Sequence, residues 1–244
     1  MSANLVIIPT YNEKENIGKI IAAVFALPVE FDLLIIDDGS PDGTADIVRG
    51  LIPLHENRLH LECRTGKLGL GTAYIHGFKW ALARTYEYIF EMDADFSHNP
   101  QDLPRLLEAC QADKVGVSVG SRYVTGGKLH NWPLKRILMS RGASIYVQCA
   151  TGMLVKDPTA GFVGYKRGFL ERLDFEKIGF VGYAFQIEMK FAAWQLGFLI
   201  KEIPITFADR VEGISKMSMA IFSEAIFGVL KIRWKGWFGS YERK

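Results

Sequence analysis

Short apolar runs alternate with stretches of helical period through the first half of the chain. The runs are Asn4–Ile8, Asp32–Ile36, Leu59–Cys63, Tyr88–Met92 and Val115–Gly120; between them Ile17–Ala26, Ala45–Leu54, Thr72–Ala83 and Asp102–Ala109 space apolar residues as helices do. This alternation predicts an α/β architecture, a mainly parallel sheet of five strands flanked by helices. Asn12 and Glu15 stand at capping-box spacing ahead of the first helix. Beyond residue 125 the pattern changes to a long helix over Leu134–Leu154, a loop Asp157–Phe162, a helix over Ala184–Leu196 and a β-like Ile203–Phe207. The tail, Met217–Lys244, places Met219, Ile221, Phe222, Ile226, Val229 and Leu230 at helical spacing, then Lys231, Arg233 and Lys235 among Trp234, Trp237, Phe238 and Tyr241. Interfacial aromatics beside cations predict a C-terminal amphipathic helix on a membrane surface. The competing reading is a helix packed on the domain's own core.

With 244 residues, 49% apolar and 23% charged, the chain can bury a substantial core. A net charge of +2 says little about partners, and nucleic acid is not expected. Its distribution says more, because Arg122, Lys128, Lys135, Arg136, Arg141 and Lys156 occur with no acid among them and with apolar Ile137–Met139 and Ala143–Val147 interleaved. A basic stretch is ordinarily a solvated face, but the apolar segments between these charges predict contact with a phospholipid-like surface or a lipid phosphate. Cys63, Cys110 and Cys149 are odd in number and widely spaced, as reduced thiols are. No basic leader opens the chain, and no charge-free run reaches the roughly 18 to 20 apolar residues of a spanning helix. The cytoplasm is therefore the default compartment.

The strand Tyr88–Met92 spills into Asp93-Ala94-Asp95. In extended backbone residues i and i+2 face one side, so the two carboxylates repel unless a cation sits between them. A hard divalent ion, held by one or two carboxylates plus substrate phosphates, answers that need. Turn chemistry explains the cluster Asp95–Pro100 equally well in isolation. Four such polar clusters, at Pro9–Glu13, Asp37–Ser40, Asp93–Asp95 and Ser121–Arg122, follow four strands. Ligands in open α/β sheets gather at that edge. Gly69–Tyr74 lacks the third glycine of a dinucleotide fingerprint, and neither a P-loop nor a hydrolase elbow is present. His60, His76 and His130 stand alone as structural histidines, while the role of His98, three residues past Asp95, stays open.

Taken in order, Pro9–Glu13, Asp37–Thr44, Leu68–Gly77, Met92–Pro100, Gly120–Tyr123, Ser140–Ala143, Gly182–Met189 and Pro204–Arg210 closely resemble the dolichol-phosphate (polyprenol-phosphate) mannosyltransferases of glycosyltransferase family 2, over about residues 4 to 217. The resemblance implies a GT-A, Rossmann-like catalytic domain over 1–216, with 217–244 as the amphipathic tail. It implies that Pro9, Tyr11, Glu13, Ile36 and Asp38 wall the guanine nucleoside of GDP-mannose. Asp93, Ala94 and Asp95 would take the diphosphate side, with Asp93, Asp95 and Ser97 around Mg²⁺ or Mn²⁺. Arg122, Arg210 and Lys216 would face donor or acceptor phosphates, and Arg136 and Ser140 would grip the lipid phosphate. Asp93, Asp95 and Arg122 carry the catalytic roles.

Two departures bear on the site. An arginine common in related enzymes is replaced by Val163, so sugar contacts are not carried to that loop. Glu91 stands where the strand is usually apolar, an acid expected to be partly buried or to join the metal's outer shell. The activity implied is inverting transfer of mannose from GDP-mannose to a polyprenyl phosphate. The alternative within the same fold is transfer of glucose or another sugar from a UDP-sugar, and the alternative in another class is an inactive membrane-surface adaptor. The expected location is peripheral, on the cytoplasmic face of a membrane, with room for a membrane-anchored partner subunit.

Overall fold

The computed structural model describes residues 2–55, 57–182, 184–208, 228–236 and 240–243. Strands β1 (Asn4–Thr10), β2 (Asp32–Asp37), β3 (Leu59–Cys63), β4 (Tyr88–Glu91) and β5 (Val115–Ser121) all fall where the apolar runs place them. Helices α1 (Lys14–Phe25), α2 (Thr44–Leu51), α3 (Leu70–Leu82) and α4 (Leu103–Gln111) connect them. The second half adds β6 (Lys128–His130), α5 (Leu134–Thr151), β7 (Val163–Lys166), α6 (Arg167–Arg172), α7 (Ala184–Gln195), β8 (Leu199–Pro204) and β9 (Thr206–Ala208). A last helix, α8, covers 228–236.

Seven strands form the main sheet in the order β3-β2-β1-β4-β7-β5-β8, and β6 pairs with β9 in a separate ribbon. Every pairing in the main sheet is parallel except those of β7, which runs antiparallel between β4 and β5. The five-strand expectation is thus extended by β7 and β8. Because β7 reverses direction against both neighbours, β4 and β5 still point the same way. The carboxyl ends of β1, β2, β4 and β5 therefore share one edge, where the four polar clusters meet.

Helices cover both faces of the sheet, so its central strands read as unbroken apolar runs. Val6 and Ile8 of β1 pack with α1, α2 and α4, while Leu5 and Ile7 pack with α3, α6 and α7. Gly77 allows α3 to lie on the sheet, since a Cβ there would meet Ile7 at 2.8 Å. The long helix stops three residues short of the expected Leu154, because Gly152 takes a left-handed φ of +78° and its N–H returns to the Gln148 carbonyl.

The capping box does not form. Asn12 lies at φ +59°, outside the extended region an N-cap residue occupies, and the cap of α1 is Glu13 without a side-chain bond. The loop after β2 reaches across instead. Thr44 Oγ1 accepts the Glu13 N–H, and Asp42 Oδ2 the Lys14 N–H, both at 3.0 Å.

Described parts of the tail pack on the core. Val229, Ile232 and Tyr241 are buried in the same layer as α7, while Leu230 and Trp234 are 52% and 67% exposed. Among the described residues, no helix is long and apolar enough to cross a membrane.

Candidate active site

At the end of β4 the chain makes a compact acidic turn. The Asp93 side chain is 37% exposed, whereas Asp95 is buried. Asp95 Oδ1 accepts the Ser97 N–H at 3.0 Å, and Phe96 between them takes a left-handed φ of +59°. The turn then folds back so that His98 Nδ1 accepts the Asp93 N–H at 3.1 Å. Among the described residues no group of three or more His, Cys, Asp or Glu side chains is arranged to hold a metal. Two carboxylates, one of them open to solvent, suit a hard cation that completes its shell with phosphate oxygens and water.

Across the neighbouring β-ends lies the candidate nucleoside wall. Pro9 pairs in register with Ile36, and Tyr11 is half-buried beneath the Lys67 ammonium, 5.3 Å from its ring centroid. Glu13 Oε2 accepts the Asn16 side-chain amide. Asp38 is held by an arginine absent from the expected set: Arg64 Nε donates to Oδ1 at 2.6 Å and Nη2 to Oδ2 at 2.8 Å. The Ile36 side chain is fully buried among core residues against α3, so any ligand contact it makes is through its main chain.

On the other side, Arg122 leaves the end of β5 and lies against Asp157. Nε donates to Oδ2 at 2.8 Å and Nη2 to Oδ1 at 2.7 Å, with Thr159 Oγ1 also accepting from Nη2. Burial opposes both charges, but their mutual hydrogen bonds and attraction outweigh it. Arg122 is therefore held above its ordinary pKa and Asp157 below. Three rings surround this guanidinium: Tyr123, Trp132 and Phe207, at 5.3 to 5.7 Å. Arg136 lies 3.8 Å over the Trp132 ring, and Tyr123 donates its hydroxyl to Ser140 Oγ at 2.7 Å. The structure thus brings Arg122, Arg136 and Ser140 together through Tyr123 and Trp132. Arg210 and Lys216 lie outside the described residues.

The two departures resolve differently. Val163 is fully buried in β7, paired with Glu91 on one side and Val119 on the other, and packs in the core. Glu91 is buried more deeply than expected, at 0% exposure, and accepts the Gln186 amide at 2.6 Å. Desolvation raises its pKa to about 8 despite that bond and the nearby Lys190 charge. Lys190 is equally buried, and desolvation lowers it to about 8. Its ammonium donates to the Ala160 carbonyl at 2.7 Å and to the Gln186 carbonyl at 3.1 Å. Sequence reasoning missed Arg64, Asp157, Tyr123, Trp132, Gln186 and Lys190 as partners. The available signal was a pair of anomalies, an acid in an apolar strand and a lysine in the apolar helix α7.

A mainly parallel sheet with an acidic turn and anchored cations along one carboxyl edge is the arrangement of a glycosyltransferase with a GT-A-like fold. The chain belongs to glycosyl transferase family 2, whose model matches residues 5–174. It is 44% identical over 225 residues to the polyprenol monophosphomannose synthase of Mycolicibacterium smegmatis, covering 92% of this chain and 84% of that one. It is 44% identical over 237 residues to the undecaprenyl-phosphate mannosyltransferase of Micrococcus luteus, covering 95% and 96% respectively. In fold it matches glucosyl-3-phosphoglycerate synthase from Mycobacterium tuberculosis, solved with Mn²⁺, UDP-glucose and phosphoglyceric acid, at TM-score 0.68 and 17% identity over 94% of this chain and 79% of that one. It likewise matches a mannosyltransferase from Pyrobaculum calidifontis, solved with GDP-Man and Mn²⁺, at TM-score 0.60 and 17% identity over 96% and 73%.

Proposed function

We propose that this enzyme transfers mannose from GDP-mannose to a polyprenyl phosphate, with inversion at the anomeric carbon. The observation that carries the acceptor assignment is the two-sided character of α5. One side presents Arg136 and Ser140 to the arginine and aromatic cluster, and the other exposes Leu134, Leu138 and Ile145 at one-face spacing. A lipid phosphate needs both, a cationic seat for its head and apolar surface for its chain. The names of the two 44%-identical relatives support the same reading.

A phosphate monoester with a second pKa of about 6 is already anionic at neutral pH. The nucleophile therefore needs no general base. This chain's residues align it, with Arg122 and Arg136 offsetting repulsion between acceptor and donor phosphates. Arg122 is fixed by Asp157, so it offers charge without reorganising. Arg210 and Lys216 complete the cationic set, and Pro9, Tyr11, Glu13, the Ile36 main chain and Asp38 receive the nucleoside. Mg²⁺ or Mn²⁺, which Asp93 and Asp95 with Ser97 nearby would hold, supplies charge neutralisation for the departing diphosphate. The catalytic unit is 1–216. The exposed face of the tail, with Leu230 and Trp234, and the outer side of α5 rest on the cytoplasmic face of a membrane.

Labelled GDP-mannose, polyprenyl phosphate and Mg²⁺ incubated with the protein should yield labelled lipid, and the Asp95→Ala variant should not. No labelled lipid, or equal yield from the variant, refutes the proposal. Competition by GDP and UDP separates the mannosyl from the UDP-sugar reading.

A further inference from the structure

We propose that His98 is a positioning residue for the metal carboxylates, acting through the main chain of Asp93. The proposal rests on the reading that Asp93 and Asp95 hold a divalent ion. His98 is 3% exposed, and its Nδ1 accepts the Asp93 N–H at 3.1 Å. Accepting that bond requires the ring proton to reside on Nε2. The ring orientation is fixed independently of the turn: it stacks on Phe162 at 4.9 Å with 12° between planes, and its edge meets Phe207 at 5.6 Å. Gly161 closes the space beside Cε1, where a Cβ would stand 3.5 Å away.

Packing alone accounts for a buried aromatic ring at this place. It does not account for an acceptor aimed at the main-chain N–H of a candidate ligand. Nor does it account for the left-handed Phe96, a conformation disfavoured for a bulky residue, which lets the turn fold back and bring residue 98 to residue 93. Asp95 is fixed from within the same turn by its bond from the Ser97 N–H. Both aspartates are thus tethered within the turn, Asp95 by its carboxylate to the Ser97 N–H and Asp93 by its main-chain N–H to His98. Phe207, against the His98 edge, also lies beneath the Arg122 guanidinium at 5.4 Å, so the same ring ties the acidic turn to the cationic side of the site.

Three substitutions separate the acceptor from the packing. His98→Asn gives up the stack but places a carbonyl oxygen near the position of Nδ1; His98→Leu is similar in size and has no acceptor. His98→Phe keeps the stack and also lacks the acceptor. Mn²⁺ affinity is read from the electron paramagnetic resonance of the free ion, in saturating GDP and separately in saturating UDP. Metal-free nucleotide affinity and thermal unfolding are measured on the same samples. We expect Leu and Phe to weaken Mn²⁺ binding about tenfold or more, the effect usual for an outer-shell partner, while Asn stays close to wild type and metal-free nucleotide binding is unchanged in all three. Wild-type Mn²⁺ affinity in either acceptor-free variant overturns the proposal, as does an Asn variant as weak as Leu. If the wild type binds no Mn²⁺ with either nucleotide, the metal reading itself falls and this proposal with it. Should His98→Phe not fold, the Asn and Leu pair decides.

Discussion

Arg122 and Asp157 form a two-pronged ion pair with side chains 9% and 0% exposed, joining the end of β5 to the loop that precedes β7. Glu202 secures the acid's side of the pair by accepting the Asp157 N–H at 2.9 Å. Removing one member of a buried pair strands the other charge, at a cost of about 3–5 kcal/mol. Asp157→Ala should therefore unfold at markedly lower denaturant, and Arg122→Lys, which cannot reproduce the fork, should fold but lose most mannosyl transfer. The Asp157 pKa is depressed in the folded state. Its contribution to stability is thus complete above the unfolded value of about 4 and is lost as pH falls through the lower folded value. Urea titrations at stepped pH should show wild type and Asp157→Asn converging only on the acid side.

Glu91 and Lys190 predict an asymmetric pair of mutants. Desolvation already favours the neutral carboxyl at Glu91, so Glu91→Gln should keep the Gln186 bond and alter unfolding free energy by no more than about 1 kcal/mol. Lys190→Met leaves the buried Ala160 carbonyl without its donor, at about 1–3 kcal/mol, while the Gln186 carbonyl keeps its helical N–H within α7. Equal losses in the two variants, measured by chemical denaturation, would count against this ordering.

Glu188 holds the tail. Its Oε2 accepts the N–H groups of Gly179 and Phe180 at 2.8 and 3.0 Å, and its Oε1 accepts from Lys235 at 3.0 Å and Tyr241 at 3.1 Å. Glu188→Ala should cost about 3–5 kcal/mol, roughly 10 °C in Tm for a chain of this size. Trp234→Ala, on the exposed side of α8, should leave Tm unchanged and weaken sedimentation with anionic vesicles. A fall in Tm with unchanged vesicle binding would assign Trp234 to the core instead.

Arg64 fixes Asp38 through a double hydrogen bond while Nη1 donates to Thr72 Oγ1 at 2.8 Å. If Asp38 belongs to the proposed guanine site, Arg64→Lys should weaken GDP binding several-fold without changing vesicle binding, because a single ammonium cannot hold both carboxylate oxygens and Thr72 together. Isothermal titration with GDP checks it, and an unchanged affinity would separate Asp38 from nucleoside recognition.

The order of strands and helices in the first half was legible because the signal is local. Buried parallel strands must be apolar throughout, helices must repeat near 3.6 residues, and the turns at the strand ends must be polar. The same reasoning set Asp93, Asp95 and Arg122 at strand ends and predicted that their loops share an edge, whereas Ser140 was reached only through the family resemblance. It did not find β7, whose four residues become a strand only because β4 and β5 leave a gap of one strand between them. Nor did it divide the tail, where the same amphipathic pattern serves a helix that turns one side to the core and another to solvent.

The sequence by itself determined the alternation of elements, the polar residues at each turn and the membership in a transferase family, since each is written in short local segments. Tertiary structure alone decided where each buried charge finds its partner: Arg64 with Asp38, Arg122 with Asp157, and Glu188 with Lys235. The reason is electrostatic. A charge out of water is tolerated only beside a partner, and these partners lie 26, 35 and 47 positions apart along the chain.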